Sequence, residues 1–142
     1  MTTRDGGFHA TCFACGPSND QGLRLAFTAE QSGSTCTVAV PRRFQGYAGI
    51  VHGGIVATLV DAAMVHTLWM ASGKDPVTCR LEIHFLQPLP AAELLTVRAH
   101  QTGKKGKVML AAAEVLCSGV CYARARGAFV FNSRFHKGGS PP

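Results

Sequence analysis

The chain has 142 residues, 46% of them hydrophobic, and a formal charge of +6. That is one domain's length with enough apolar sequence for an ordinary globular core. The start, Met1-Thr2-Thr3-Arg4-Asp5-Gly6-Gly7, lacks the apolar middle of a secretory signal, and continuous apolar runs are too short for a bilayer span. These features predict a cytoplasmic protein with no membrane partner. The basic residues are scattered at Arg42-Arg43, Arg80, Lys104-Lys105-Lys107 and Arg124-Arg126, without interleaved aromatics. Nucleic acid is therefore not expected as a partner, whereas a small phosphate-rich ligand suits the charge.

In chain order, residues 1–21 are rich in Gly, Cys, Asn and Pro and are expected to be irregular. Residues 23–29 alternate, with Leu23, Leu25 and Phe27 on one face, and predict a strand. A turn at 31–34 leads to a second strand over 35–40, ended by Pro41. Residues 41–52 form a glycine-containing loop. A long helix is predicted from Gly53 to about Ala71, stopped by Gly73 and Pro76. Four strands follow over 77–87, 93–102, 107–117 and 120–131, and the tail 136–142 is expected to be disordered. Two strands, one helix and four strands predict an α+β domain over 22–135, with about six antiparallel strands covering the helix.

The helix is the unusual part. Between Ile55 and Met70 only Asp61 and His66 carry a formal charge or a titrating ring. A helix apolar nearly all round is usually buried. An ionised carboxylate there costs several kcal/mol unless it is paired, hydrogen-bonded or used. Gly53-Gly54 opens the same helix, where unpaired N–H groups and half a positive charge suit an oxyanion.

The cysteines at 12, 15, 36, 79, 117 and 121 are expected to be reduced in a chain without a secretory signal. Cys79, Cys117 and Cys121 read as small core residues on strands. His9-x-x-Cys12-x-x-Cys15 offers three donors, but a closed zinc site needs four. No metal is therefore expected, and the segment is read as serving loop packing or an interface. His66 is read as a core or interface histidine.

The ordered set Cys12-Phe13-Ala14-Cys15-Gly16-Pro17, Gly22-Leu23, Gly49-Ile50-Val51-His52-Gly53-Gly54, Leu59-Val60-Asp61 and Leu81-Glu82-Ile83-His84-Phe85-Leu86-Gln87-Pro88 resembles the hotdog fold and, within it, the PaaI-like acyl-CoA thioesterases. The likeness runs over residues 12–131. It implies thioester hydrolysis at a dimer interface, in a homodimer or a dimer-of-dimers tetramer, with coenzyme A entering only as part of the substrate and no cofactor. Asp61 would be general base or nucleophile. Gly53 or Gly54 N–H of the partner helix would polarise the carbonyl, His52 would sit beside the carbonyl or sulfur, and Thr78 would orient the water. Gln45, seven residues before His52, stands in for an Asn or Gln that relatives place in the loop. Lys104, Lys105 and Lys107, with Arg80, Arg124 or Arg126, could meet the phosphates of coenzyme A. Met64 and Phe85 could set the depth of the acyl pocket.

One geometric point stands apart from the resemblance. Asp61 lies seven residues past Gly54, roughly 10 Å along the helix axis at 1.5 Å per residue. One reacting carbon cannot touch both, so a second chain must bring the other half. The same residues would also serve a non-catalytic acyl-CoA binder. A dehydratase using Asp61 and His66 is the weakest reading, since the Gly-Asp-x-Asn-Pro-like sequence of hydratases of this fold is absent.

Overall fold

The structure, a computed structural model, describes residues 9–131. Within them lie strands β1 (Thr28–Glu30) and β2 (Gly33–Ala39), helix α1 (Gly53–Ser72), and strands β3 (Pro76–Phe85), β4 (Leu94–Lys105), β5 (Val108–Cys117) and β6 (Val120–Phe131). The six strands form one sheet in the order β1-β2-β4-β5-β6-β3, antiparallel throughout. Helix α1 packs on β2, β3, β4, β5 and β6. A sheet lying along one central helix is the hotdog fold.

Helix α1 begins and ends as its sequence dictates. Its N-cap is His52, and its C-cap Gly73 takes the left-handed φ of 70° that side chains disfavour. The helix is long and apolar enough, by length and composition, to cross a bilayer. Its place against the sheet accounts for that composition: Val56, Leu59, Val60, Ala63, Met64 and Leu68 are all buried. Ser34, Ala99, Ala113 and Ala125 are register neighbours across four strands. This row of small side chains gives the helix a trough to lie in. Ser34 Oγ donates to Ala63 O at 3.1 Å and shares a 2.8 Å bond with Thr67 Oγ1, tying helix to sheet inside the core.

The first predicted strand needs correction. Strand β1 covers only Thr28–Glu30, and residues 23–27 lie outside the sheet. Leu23, Leu25 and Phe27 are buried as the alternation implied. Arg24, however, has a φ of 50°. The segment bonds to the cysteine loop instead, with Leu23 N–H donating to Phe13 O and Leu25 N–H to Ala14 O. Strand β4 also runs longer than expected, so the β4–β5 turn is the pair Gly106-Lys107 and not residues 103–106. Residues 9–27 hold turns and no helix or strand. The tail predicted to be disordered lies outside the described residues.

Candidate active site

Asp61 sits on the one stripe of α1 that the sheet leaves half open. Ala57, Asp61 and Val65, spaced four apart, are all of intermediate exposure, whereas His66 and Leu68 beside them are buried. Thr78 Oγ1 donates a 2.7 Å hydrogen bond to Asp61 Oδ1. Burial pushes the Asp61 carboxyl above the ordinary aspartate value, and the Thr78 bond partly offsets this. A carboxylate held up in this way is a better base than a solvated one.

A bulge in β3 aims Thr78. The register passes from Thr78 opposite Phe129 to Arg80 opposite Ala128, leaving Cys79 as the extra residue. Phe129 is buried under the helix, so its partner Thr78 faces Asp61. Without the bulge, strict alternation would put Thr78 and Arg80 on one face; with it, Arg80 turns outward. Cys79 is thereby exposed, contrary to its reading as a core residue. Thr78→Ala removes the donor that stabilises the carboxylate. We expect the acid limb of the kcat/KM–pH profile to move to higher pH in Thr78→Ala and to stay in Thr78→Ser; an unmoved limb in the alanine variant contradicts the role given to this bond.

The start of α1 is arranged around His52. Its Nδ1 accepts the N–H of Gly54 at 2.9 Å, and its carbonyl accepts from Ile55 and Val56 at 2.9 and 3.1 Å. The ring proton therefore sits on Nε2. A Cβ on Gly54 would approach His52 Nδ1 to 3.1 Å, so the glycine leaves room for the ring to fold over the helix end. Of the first four helix N–H groups, Gly53 is the one without an acceptor among the described residues. Of the two candidate donors, Gly53 or Gly54, the Gly54 N–H is already taken by its own chain. His52→Ala should lower stability by about 1 kcal/mol through loss of the cap, read as a drop in Tm.

Beside this helix end lies a groove of ≈ 480 Å³, bordered by Tyr47, Ile50, His52, Gly53, Phe85 and Tyr122. Phe85, at the end of β3, is 57% exposed and lies next to Gly53. Asp61 does not border this groove: along α1 it is eight residues from Gly53, about 12 Å of rise.

The other predicted residues fall at various distances from this centre. Gln45 spends its side-chain oxygen on Gly49 N–H at 2.9 Å, bracing the loop before His52. Met64 is 0% exposed and packs on Gly127, so it lies inside the core and not at the groove. His66 is buried in a stack with Phe27 at 4.7 Å, turned away from the open stripe that carries Asp61. Lys104 is in register with Met109, Phe129 and Thr78, placing the basic hairpin at the Asp61 end of the sheet, roughly 14 Å across three strand spacings. Arg80, Arg124 and Arg126 are on the outer face. There a larger hollow of ≈ 790 Å³ mixes Arg98, Arg124 and Arg126 with Glu82 and Glu114 and includes none of the Asp61 surroundings.

The six-stranded antiparallel sheet along one long helix defines a hotdog domain. Residues 48–127 match the sequence profile of the thioesterase superfamily, more than half of the chain. The chain belongs to the thioesterase superfamily. It is 27% identical over 88 residues to the acyl-coenzyme A thioesterase THEM4 of Bos taurus, a stretch covering 61% of this chain and 35% of that protein. The chain thus spans about a third of the length of that curated relative. The E. coli PaaI protein from the phenylacetic acid degradation operon superposes with a TM-score of 0.68 at 22% identity, covering 76% of this chain and 83% of the other. Thioesterase superfamily member 2 of Mus musculus gives a TM-score of 0.68 at 21% identity, over 76% and 88%. At these identities the two structures speak for the fold.

Proposed function

We propose that the protein is an acyl-CoA thioesterase whose active sites form between two copies of the chain. The observation that carries this reading is Asp61: half-buried, bonded by Thr78, and raised in pKa on an otherwise apolar stripe. Strand β3 supports the dimer. It is a ten-residue edge strand beside that stripe, with one side of its backbone unpaired among the described strands, and edges of this length are normally covered. A second copy laid against this edge would bury both stripes and bring its Gly53 near Asp61.

In this reading Asp61 takes a proton from water, whose oxygen attacks the thioester carbon. The oxyanion forms against Gly53 N–H of the partner helix, helped by the helix dipole. When the tetrahedral intermediate collapses, the carbon–sulfur bond breaks and the thiolate of coenzyme A leaves with the proton held by Asp61. The alternative, direct attack by the carboxylate, breaks the carbon–sulfur bond, expels the coenzyme A thiolate and gives a mixed anhydride; water then opens it, releasing the acid, restoring the carboxylate and supplying the thiol proton. The groove at Tyr47, Phe85 and Tyr122 is apolar enough for an acyl or aryl group, and His52 is among the residues that line it. In this reading Lys104, Lys105 and Lys107, on the hairpin at the Asp61 end of the sheet, would meet the nucleotide phosphates.

The test is steady-state hydrolysis across a panel of acyl- and aryl-CoA thioesters. Turnover of at least one of them is expected. Tight binding by calorimetry with no turnover of any would select the non-catalytic acyl-CoA binder instead.

A further inference from the structure

We propose that His9, Cys12 and Cys15 form a binding site for one soft divalent cation, with Zn²⁺ the best match, that fastens the N-terminal segment to the domain. The three donor atoms lie within 4.8 Å of one another, and Cys15 Sγ is 3.7 Å from His9 Nδ1. A tetrahedral Zn²⁺, with Zn–S about 2.3 Å and Zn–N about 2.1 Å, spaces its ligands by roughly 3.6–3.8 Å. Closing the set on an ion therefore takes shifts of about an ångström, within reach of side-chain rotation. Two thiolates and one imidazole are a donor set that selects Zn²⁺ over Mg²⁺ or Ca²⁺.

The backbone around the donors is already folded into a knuckle. Cys12 N–H donates to His9 O at 3.1 Å, Gly16 N–H to Cys12 O at 2.8 Å, and Ser18 N–H to Ala10 O at 2.9 Å. A Cβ at Gly16 would stand 2.4 Å from Cys12 N and 2.6 Å from Ala10 O, so only glycine closes this turn. All three ligands are half-buried, and Cys12 and Cys15 pack against the core. Phe13 O and Ala14 O, from the same knuckle, hold Leu23 and Leu25, whose side chains enter that core. An ion here would stabilise a stretch, residues 9–27, that has no helix or strand of its own.

His9, Cys12 and Cys15 are one donor short of a closed tetrahedral set. Three protein donors are sufficient when water or an outside ligand fills the fourth position. Binding replaces two thiol S–H bonds by two metal–sulfur bonds and releases both protons to the buffer, while neutral His9 contributes a lone pair. No electron is transferred.

The test uses full-length protein, reduced and stripped with chelator, titrated with Co²⁺ and then Zn²⁺. Co²⁺ should give the visible bands of a tetrahedral ion and near-ultraviolet thiolate charge transfer, saturating at one ion per chain. Zn²⁺ should displace it and raise Tm. The charge-transfer band should be lost in Cys12→Ser and Cys15→Ser and kept, with altered visible bands, in His9→Ala. The wild-type titration needs no variant to fold. Reduced wild type that gives no cobalt spectrum would overturn the proposal, as would an unchanged spectrum in Cys12→Ser/Cys15→Ser. A Cys12–Cys15 disulfide with no metal uptake after reduction would overturn it too.

Discussion

Asp61→Asn should lower the rate of thioester hydrolysis by roughly 10²–10⁴-fold, the usual weight of a positioned general base, while making the folded protein more stable at neutral pH. The two effects share one cause. Burial disfavours the charged carboxylate and raises its folded-state pKa above 3.8, the value of an unperturbed aspartate. Between the unfolded and folded values the native chain binds more protons than the unfolded chain, so stability falls as pH rises through that window. Above that window the full cost of the ionised group remains. Asparagine removes the charge and keeps an oxygen for Thr78 Oγ1. The stability gain should therefore be present at neutral pH and shrink to nothing once the pH falls below the ordinary aspartate range. Calorimetric Tm values at both ends check this. An inactive variant with a lower Tm at neutral pH would mark Asp61 as a paired structural acid.

Gly53→Pro should cost about 10²–10³ in kcat with the fold intact, the usual consequence of removing one oxyanion donor. Proline is at home at the first position of a helix, where its missing N–H breaks no helical bond. The residue before proline must be extended, and His52 already has φ −57° and ψ 137°. The space is open as well: a Cβ at Gly53 meets only the Phe85 ring, at 3.7 Å. Gly53→Ala, which keeps the N–H, should retain activity within a few-fold. Circular dichroism and Tm separate a lost donor from a lost fold. If proline and alanine behave alike, Gly53 N–H is not the donor.

Sequence reasoning reached the fold where pattern and punctuation agree. The helix bounded by His52 and Gly73 is one long apolar run with clear stops, and the strands after it are set apart by turn residues. It failed where a single backbone torsion overrides side-chain pattern. Leu23, Leu25 and Phe27 alternate as a strand would, but Arg24 at positive φ gives their backbone to the cysteine loop. The bulge at Cys79 was equally hidden, because nothing in Pro76–Phe85 marks one residue as extra. Asp61 stood out because a lone acid in an apolar helix is costly wherever the helix packs. The engagement of Gly54 by His52 and of Gln45 by Gly49 depends on how the loop closes, which composition does not encode. Met64 was misplaced for a related reason: an all-apolar helix does not say which stripe the sheet leaves open.

The central claim is that Asp61 and the Gly53 helix end act across two chains. Mixing subunits tests it directly. Asp61→Asn and Gly53→Pro proteins, each nearly inactive alone, are unfolded together in equal amounts and refolded. A hybrid dimer then holds one site made of Asp61 from the proline chain and Gly53 from the asparagine chain. With random pairing the mixture should recover about one quarter of wild-type activity, since half the dimers are hybrid and each has one of two sites intact. If both groups act within one chain, every hybrid site carries a defect, and a verified hybrid that stays as inactive as its parents would contradict the shared site.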